Sequence, residues 1–206
     1  MISEIIFGGM TIGILSLIII FGTHFLVANE KRISKVQKLF FLHPNTISFL
    51  RIPIGGISLV LFHYEYYYIA LIIFTFAVFS DYSDGVIARA CNLETELGKS
   101  LDPMADKIVY FLPLLYFGYM GKINMILVIV FILIDSIGQF SRIFLKKIQK
   151  ETKANSFGKV KTTLVFIFLF YFFLLERFFI LPSIISSIFL ILFSLLAIVS
   201  ILRKII

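Results

Sequence analysis

Long apolar runs joined by short polar segments dominate the chain. Seven of them, at 5–28, 45–63, 66–87, 103–120, 123–145, 162–180 and 183–202, approach the roughly 20 residues that a helix needs to cross the hydrocarbon core. Unbroken apolarity over such lengths predicts helices, because barrel strands are shorter and alternate. The joints contain no Gly/Ser-rich or Pro-rich linker, and no internal repeat is visible. The pattern predicts an all-α integral membrane protein with no soluble domain.

Composition agrees. Of 206 residues, 60 % are apolar and 15 % charged, with a mean hydropathy of +1.02. Soluble domains run nearer roughly 45–50 % apolar with about a quarter charged. Disorder is excluded by the same excess of apolar residues. The net charge of +7 gains meaning from its placement. If the seven runs all cross, 17 of the 19 Lys and Arg fall on one side, from Lys31, Arg32, Lys35, Lys38 and Arg51 through to Arg203 and Lys204. Only Lys122 and Arg177 fall on the other. The basic side is therefore expected in the cytoplasm of a cell inner or plasma membrane, with the N-terminus outside. Orientation accounts for most of the basic excess, which then gives no reason for a nucleic-acid partner. The first run lacks a basic n-region and a good cleavage site, so it reads as an uncleaved anchor rather than a signal peptide. Tyr64, Tyr66, Tyr67 and Tyr68 suit an outer interfacial belt. Cys91, the single cysteine, has no internal disulfide partner and reads as a bystander. His24, His43 and His63 lack metal-ligand spacing, and Glu176-Arg177 reads as an outer-loop ion pair.

Four aspartates lie within 26 residues, Asp81 and Asp84 at one helix end and Asp102 and Asp106 at the next. Spacings of three and four put each pair on one helical face. Four bare carboxylates brought together near a membrane would repel and be poorly solvated. Divalent cations between them remove the difficulty, and hard oxygen ligands suit Mg²⁺, Mn²⁺ or Ca²⁺. Four carboxylates can hold two ions about 3.5–4 Å apart. Gly85, Ala88 and Gly98 leave room for a ligand close to the backbone, and Arg89 and Lys99 add positive charge suited to phosphate.

The spacing D-x2-D-G-x2-A-R-x8-G-x3-D-x3-D, met here by Asp81, Asp84, Gly85, Ala88, Arg89, Gly98, Asp102 and Asp106, resembles the signature of the CDP-alcohol phosphotransferase (phosphatidyltransferase) family. Pro44-Asn45 with Arg51 resembles the start of that family's first core helix. The resemblance implies a six-helix catalytic domain over 41–206. It leaves 1–40 as an extra N-terminal transmembrane segment with a basic juxtamembrane linker. It implies transfer from a CDP-linked donor, commonly CDP-diacylglycerol, to an alcohol with release of CMP, and a homodimer in membrane lipid. Asp81, Asp84, Asp102 and Asp106 would hold two Mg²⁺ (or Mn²⁺) ions, with Asp106 also the general base. Asn45, Asp84, Gly85, Ala88, Arg89 and Gly98 would bind CDP.

The acceptor is expected to be a phosphorylated polyol. Leu101-Asp102-Pro103-Met104-Ala105-Asp106-Lys107 and Gly158-Lys159-Val160-Lys161-Thr162 are similar to stretches of phosphatidylglycerophosphate synthases. Arg142, Lys159 and Lys161 would meet the acceptor phosphate, which makes glycerol 3-phosphate the first expectation. Those enzymes carry Arg-Glu where this chain has Ile134-Asp135, so inositol phosphate, phosphatidylglycerol (as in cardiolipin synthases) and serine stay open. Asp135, inside an apolar run, is expected to serve the acceptor site or to pair with Arg142. A small transporter is the rival of another class, disfavoured because the aspartates sit at helix ends and not at the midplane.

Overall fold

The computed structural model describes residues 2–93, 96–147, 156–176, 178–179 and 181–205, with the side chains at 40, 96–103, 142–147 and 204–205 outside that description. Among the described residues every regular element is a helix: α1 (Ile2–Leu26), α2 (Glu30–Lys38), a short 3₁₀ turn (Phe40–Leu42), α3 (Pro44–His63), α4 (Tyr67–Ala90), α5 (Glu96–Tyr119), α6 (Met125–Lys147), α7 (Ser156–Leu175) and α8 (Ser183–Ile205). Each of the seven apolar runs falls on a helix. By length and apolarity α1, α3, α4, α7 and α8 qualify as membrane spans, and Met125–Ser141 of α6 is a shorter apolar helix. The protein is an all-α integral membrane protein.

Local chemistry sets the helix ends. Pro44 opens α3 behind an extended His43, where its fixed φ suits the first turn and its missing N–H costs nothing. Three helices stop the same way, with a left-handed residue closing paired backbone bonds. At the end of α3 Glu65 has φ 66°, and the amides of Glu65 and Tyr66 donate to Phe62 and Leu61. Asn92, φ 51°, ends α4 with Leu93 N–H bonded to Ala88. Gly121, φ 69°, ends α5 with Lys122 N–H bonded to Phe117. These closures satisfy the carbonyls that a helix end leaves orphaned. The stop at Asn92 matters for the site, since it falls inside the eight-residue spacer and puts the two aspartate pairs on different helices.

The chain divides into two compact units, 1–112 and 113–206, and the division falls within α5 at Pro113, which has no backbone donor to give. In the first unit α4 packs against both α1 and α3. The basic segment after α1 is not a plain linker. Asn29 caps it, accepting from the Arg32 amide at 3.0 Å. Its Ile33 and Val36 pack on Ile87 and Cys91 of α4, and Gln37 Nε2 donates to the Cys91 carbonyl at 2.9 Å. In the second unit an aromatic stack forms the core. Phe117 meets Phe172 at 4.7 Å, and Phe168 meets Phe172 at 5.0 Å and Phe193 at 5.5 Å between centroids.

Candidate functional site

Three helices of the first unit deliver polar side chains to one place. Asp81 and Asp84, one turn apart on α4, face α3, and Asp106 comes from α5. At their focus is Arg51 of α3, only 1 % exposed. One guanidinium nitrogen donates to Asp81 Oδ1 at 2.8 Å and also to Asp106. The other donates to Asp84. Ser48, a turn before Arg51, donates to Asp84 Oδ2 at 2.7 Å. Ser48 and Asp84 are both buried, whereas the side chains of Asp81 and Asp106 are 54 % and 37 % exposed. The group therefore has a dry floor and an open rim.

Three carboxylates against one guanidinium leave two formal negative charges. Among the described residues no three acidic or imidazole groups close round a single point as metal ligands do; Arg51 is what the carboxylates share. Oxygen donors with a residual charge of minus two are nonetheless the chemistry that divalent cations require, so the donor set fits such ions. The Arg51 Nε is buried with no acceptor. An arginine that gave up part of its hydrogen bonding to reach three acids is held there by their charge.

The remaining motif residues divide. Gly85 and Arg89 are together, the Arg89 guanidinium folding back so that a Cβ on Gly85 would meet it at 3.6 Å. That is ordinary contact, so the fold itself does not require glycine at 85. Ala88 is half-buried on the same helix, and Arg89 is exposed. Asn45 is half-buried in the first turn of α3, three residues before Ser48. Gly98 and Asp102 are on α5, with their surroundings outside the described residues. Cys91, just beyond α4, is buried, and burial pushes its thiol up from its ordinary range. A raised, buried thiol is a poor nucleophile.

The residues expected at the acceptor belong to the second unit. Lys161 on α7 and Asp135 on α6 are each 5 % exposed and form a buried ion pair. The Phe131 ring lies 5.8 Å from Lys161 Nζ. Asp135 thus has Lys161 as a partner; the side chain of Arg142, the partner expected from the sequence, lies outside the description. Lys159 is exposed. The Gly158–Thr162 stretch is helical, and residues two apart on a helix do not face each other. Lys159 and Lys161 therefore point to different surroundings. Glu176 pairs with Lys122 at 3.2 Å, and Arg177 lies outside the described residues.

Sequence reasoning missed the part played by Ser48 and Arg51. Arg51 had been counted with the cytoplasmic cations and matched, with Pro44-Asn45, to the start of the family's first core helix, but given no part in the site, although it lies well inside an apolar run. An intramembrane arginine is a functional candidate on that ground alone.

Comparison with known proteins gives a match between residues 41–202 and the sequence profile of the CDP-alcohol phosphatidyltransferase family. A CDP-diacylglycerol–glycerol-3-phosphate 3-phosphatidyltransferase of Aquifex aeolicus is 32 % identical over 124 residues, 59 % of this chain and 70 % of that protein. One from Mycoplasma pneumoniae is 34 % identical over 96 residues, 47 % of this chain and 42 % of that protein. A cardiolipin synthase (CMP-forming)/mitochondrial hydrolase fusion protein of Schizosaccharomyces pombe is 36 % identical over 80 residues, 38 % of this chain and 13 % of that protein.

Proposed function

The chain belongs to the CDP-alcohol phosphatidyltransferase family, and we propose that it transfers the phosphatidyl group of CDP-diacylglycerol to glycerol 3-phosphate, releasing CMP. The observation that carries this reading is the meeting of Asp81, Asp84 and Asp106 from two helices around one buried cation. The names of the Aquifex and Mycoplasma relatives support the choice of acceptor.

In this reading Asp81, Asp84, Asp102 and Asp106 hold divalent ions, two Mg²⁺ or Mn²⁺. Bound there, the ions supply positive charge to the diphosphate oxygens. Gly85 and Ala88 leave space for the nucleotide against α4, and Arg89 and Asn45 offer it hydrogen-bond donors. Gly98 does the same from α5. Asp106, on the open rim, takes the proton of the acceptor hydroxyl as its oxygen bonds to phosphorus. The bond from that phosphorus to the bridging diphosphate oxygen breaks, and CMP leaves with the electron pair. No covalent intermediate is needed. Of Arg142, Lys159 and Lys161, the three cations proposed for the acceptor phosphate, Lys161 is paired with Asp135 and faces away from Lys159, so the exposed Lys159, with Arg142, carries the assignment. The basic loops support a site on the cytoplasmic side. A 1–40 anchor segment, a 41–206 catalytic domain and a homodimer complete the proposal.

Ile134-Asp135 in place of Arg-Glu, with the likeness to a cardiolipin synthase, makes phosphatidylglycerol the second acceptor to test. The purified protein is to be given CDP-diacylglycerol, Mg²⁺ and, one at a time, glycerol 3-phosphate, phosphatidylglycerol, inositol phosphate or serine, with CMP followed. Glycerol 3-phosphate should give the fastest release, and Asp106→Asn should bind donor yet turn over less than about a tenth as fast. A faster rate with another acceptor renames the substrate; CMP from none of them ends the enzyme reading.

A further inference from the structure

We propose that α1, which precedes the family match, is a positioning element of the aspartate site, acting through Thr23 on Ser83 and through His24 on Tyr82. The inference rests on the proposed role of Asp81 and Asp84 as metal ligands and goes beyond it.

Tyr82 and Ser83 are the two residues between those aspartates. At 3.6 residues per turn, Asp81 and Asp84 share one face of α4, and the two between them project elsewhere. The aspartates meet Arg51 of α3; the residues between them meet α1. Thr23 Oγ1 lies 2.8 Å from Ser83 Oγ, and His24 Nε2 lies 2.7 Å from the Tyr82 hydroxyl. Thr23 gives its one hydroxyl hydrogen to the Ile19 carbonyl at 2.6 Å, so Ser83 is the donor between the helices.

Two further observations single out this contact. The helices run parallel, since Phe7 stacks edge-on with Tyr68 at 5.8 Å near their starts and Thr23 meets Ser83 near their ends. Along the rest of α1 large apolar side chains such as Phe7, Ile14, Ile18 and Phe21 stay exposed for lipid. Its buried residues are Gly8 and Thr23. A hydroxyl buried against a neighbouring helix in a lipid-facing segment is a specific adhesion point. It falls at the turn that carries the first two motif aspartates.

The consequence is rotational. Mutual repulsion favours turning α4 so that Asp81 and Asp84 move away from Asp106 of α5. Arg51 resists from one side. Any such turn also swings Ser83 and Tyr82 away from Thr23 and His24. Thus α1 fixes the angular setting at which Asp81 and Asp84 present their oxygens.

The test uses the full chain in lipid nanodiscs, with Mn²⁺ binding followed by loss of the free-ion paramagnetic signal and CMP release giving donor KM and kcat separately. Thr23→Val and Ser83→Ala should each raise the Mn²⁺ half-saturation and the donor KM by about threefold to twentyfold, the range of interhelical hydrogen bonds in bilayers. The double variant should be no worse than either single one. Thr23→Ser should restore both values. Variants that lose heat stability or kcat while keeping wild-type Mn²⁺ half-saturation and donor KM would overturn the positioning role and leave the enzyme reading intact. Absence of Mn²⁺ binding by the wild type overturns the metal-site reading, and the positioning role with it.

Discussion

Replacing Arg51 with methionine removes the charge at the focus of the site and keeps most of the side chain's length and apolar bulk. The pair with Asp84 is the costly one to break, because its two side chains are 1 % and 5 % exposed. Taking one partner from a buried pair costs about 3–5 kcal/mol. The pairs with Asp81 and Asp106 are at the wet rim, 54 % and 37 % exposed, and add at most about 1 kcal/mol together. The wild-type Nε already lacks an acceptor, which Arg51→Met relieves, so the lower end applies: about 3 kcal/mol. For a chain of this size that corresponds to a melting temperature lower by about 6–12 °C. Divalent ions stabilise both proteins by mass action, but the variant, with no built-in cation against its carboxylates, should bind them more tightly; a Kd lower by about a hundredfold would return about 2.7 kcal/mol of the difference. The chain has no Trp, but its one cysteine is buried, so thiol-dye labelling of Cys91 reports unfolding. Expected is a large drop for Arg51→Met in EDTA and a small one in saturating Mg²⁺. An equal drop in both, or less than about 2 °C in EDTA, would refute the account of Arg51 as the fixed counter-charge of a metal site.

Two other substitutions separate folding from function. Gly85→Ala should stabilise the fold by about 0.5–1 kcal/mol, because mid-helix glycine is unfavourable and the added methyl meets Arg89 at an ordinary 3.6 Å. Donor KM should rise at the same time; a lower melting temperature, or an unchanged KM, would show that space at Gly85 serves packing and not the nucleotide. Lys161→Met and Asp135→Leu should each cost about 3–5 kcal/mol, while the double variant recovers most of it. Additive losses would mean that the buried pair is not the unit holding α6 and α7.

The apolar runs made the spanning helices legible, because a lipid environment demands long unbroken apolarity. Their ends were less so. Helix α5 begins at Glu96, well before the apolar run at 103, since its polar turns carry the motif and give no hydropathy signal. Helix α2 was missed for a related reason: nine residues with five charges read as a linker, although Asn29 as a cap and Ile33 with Val36 at helical spacing were signals of an amphipathic turn. At the site, residue types and spacing were enough to pair Asp81 with Asp84 and to set Gly85 near Arg89. Sequence could not reveal that Arg51 would occupy the middle, because contacts between α3, α4 and α5 are tertiary and leave no periodic trace. Nor could the GKxKT resemblance reveal that one of its lysines is buried against Asp135 and the other exposed; that follows from the helix continuing through it.

The number of built-in cations is itself informative. With none, Asp84 would sit buried and uncompensated, and repulsion between carboxylates on α4 and α5 would favour splaying the helices. With a cation for every carboxylate, the group would be neutral and would have no affinity for a divalent ion. One arginine against three described carboxylates leaves the cluster held together yet still strongly negative. Its placement follows the same logic. The guanidinium approaches from the buried floor, beside Ser48 and Asp84, and leaves the side chains of Asp81 and Asp106 partly exposed. To bind metal together with an anionic donor and then release an anionic product, as proposed, the site would have to remain intact when empty and attractive to cations throughout. A single fixed charge at the dry end meets both requirements, which is why Arg51 belongs to the site although no loop-charge count would have put it there.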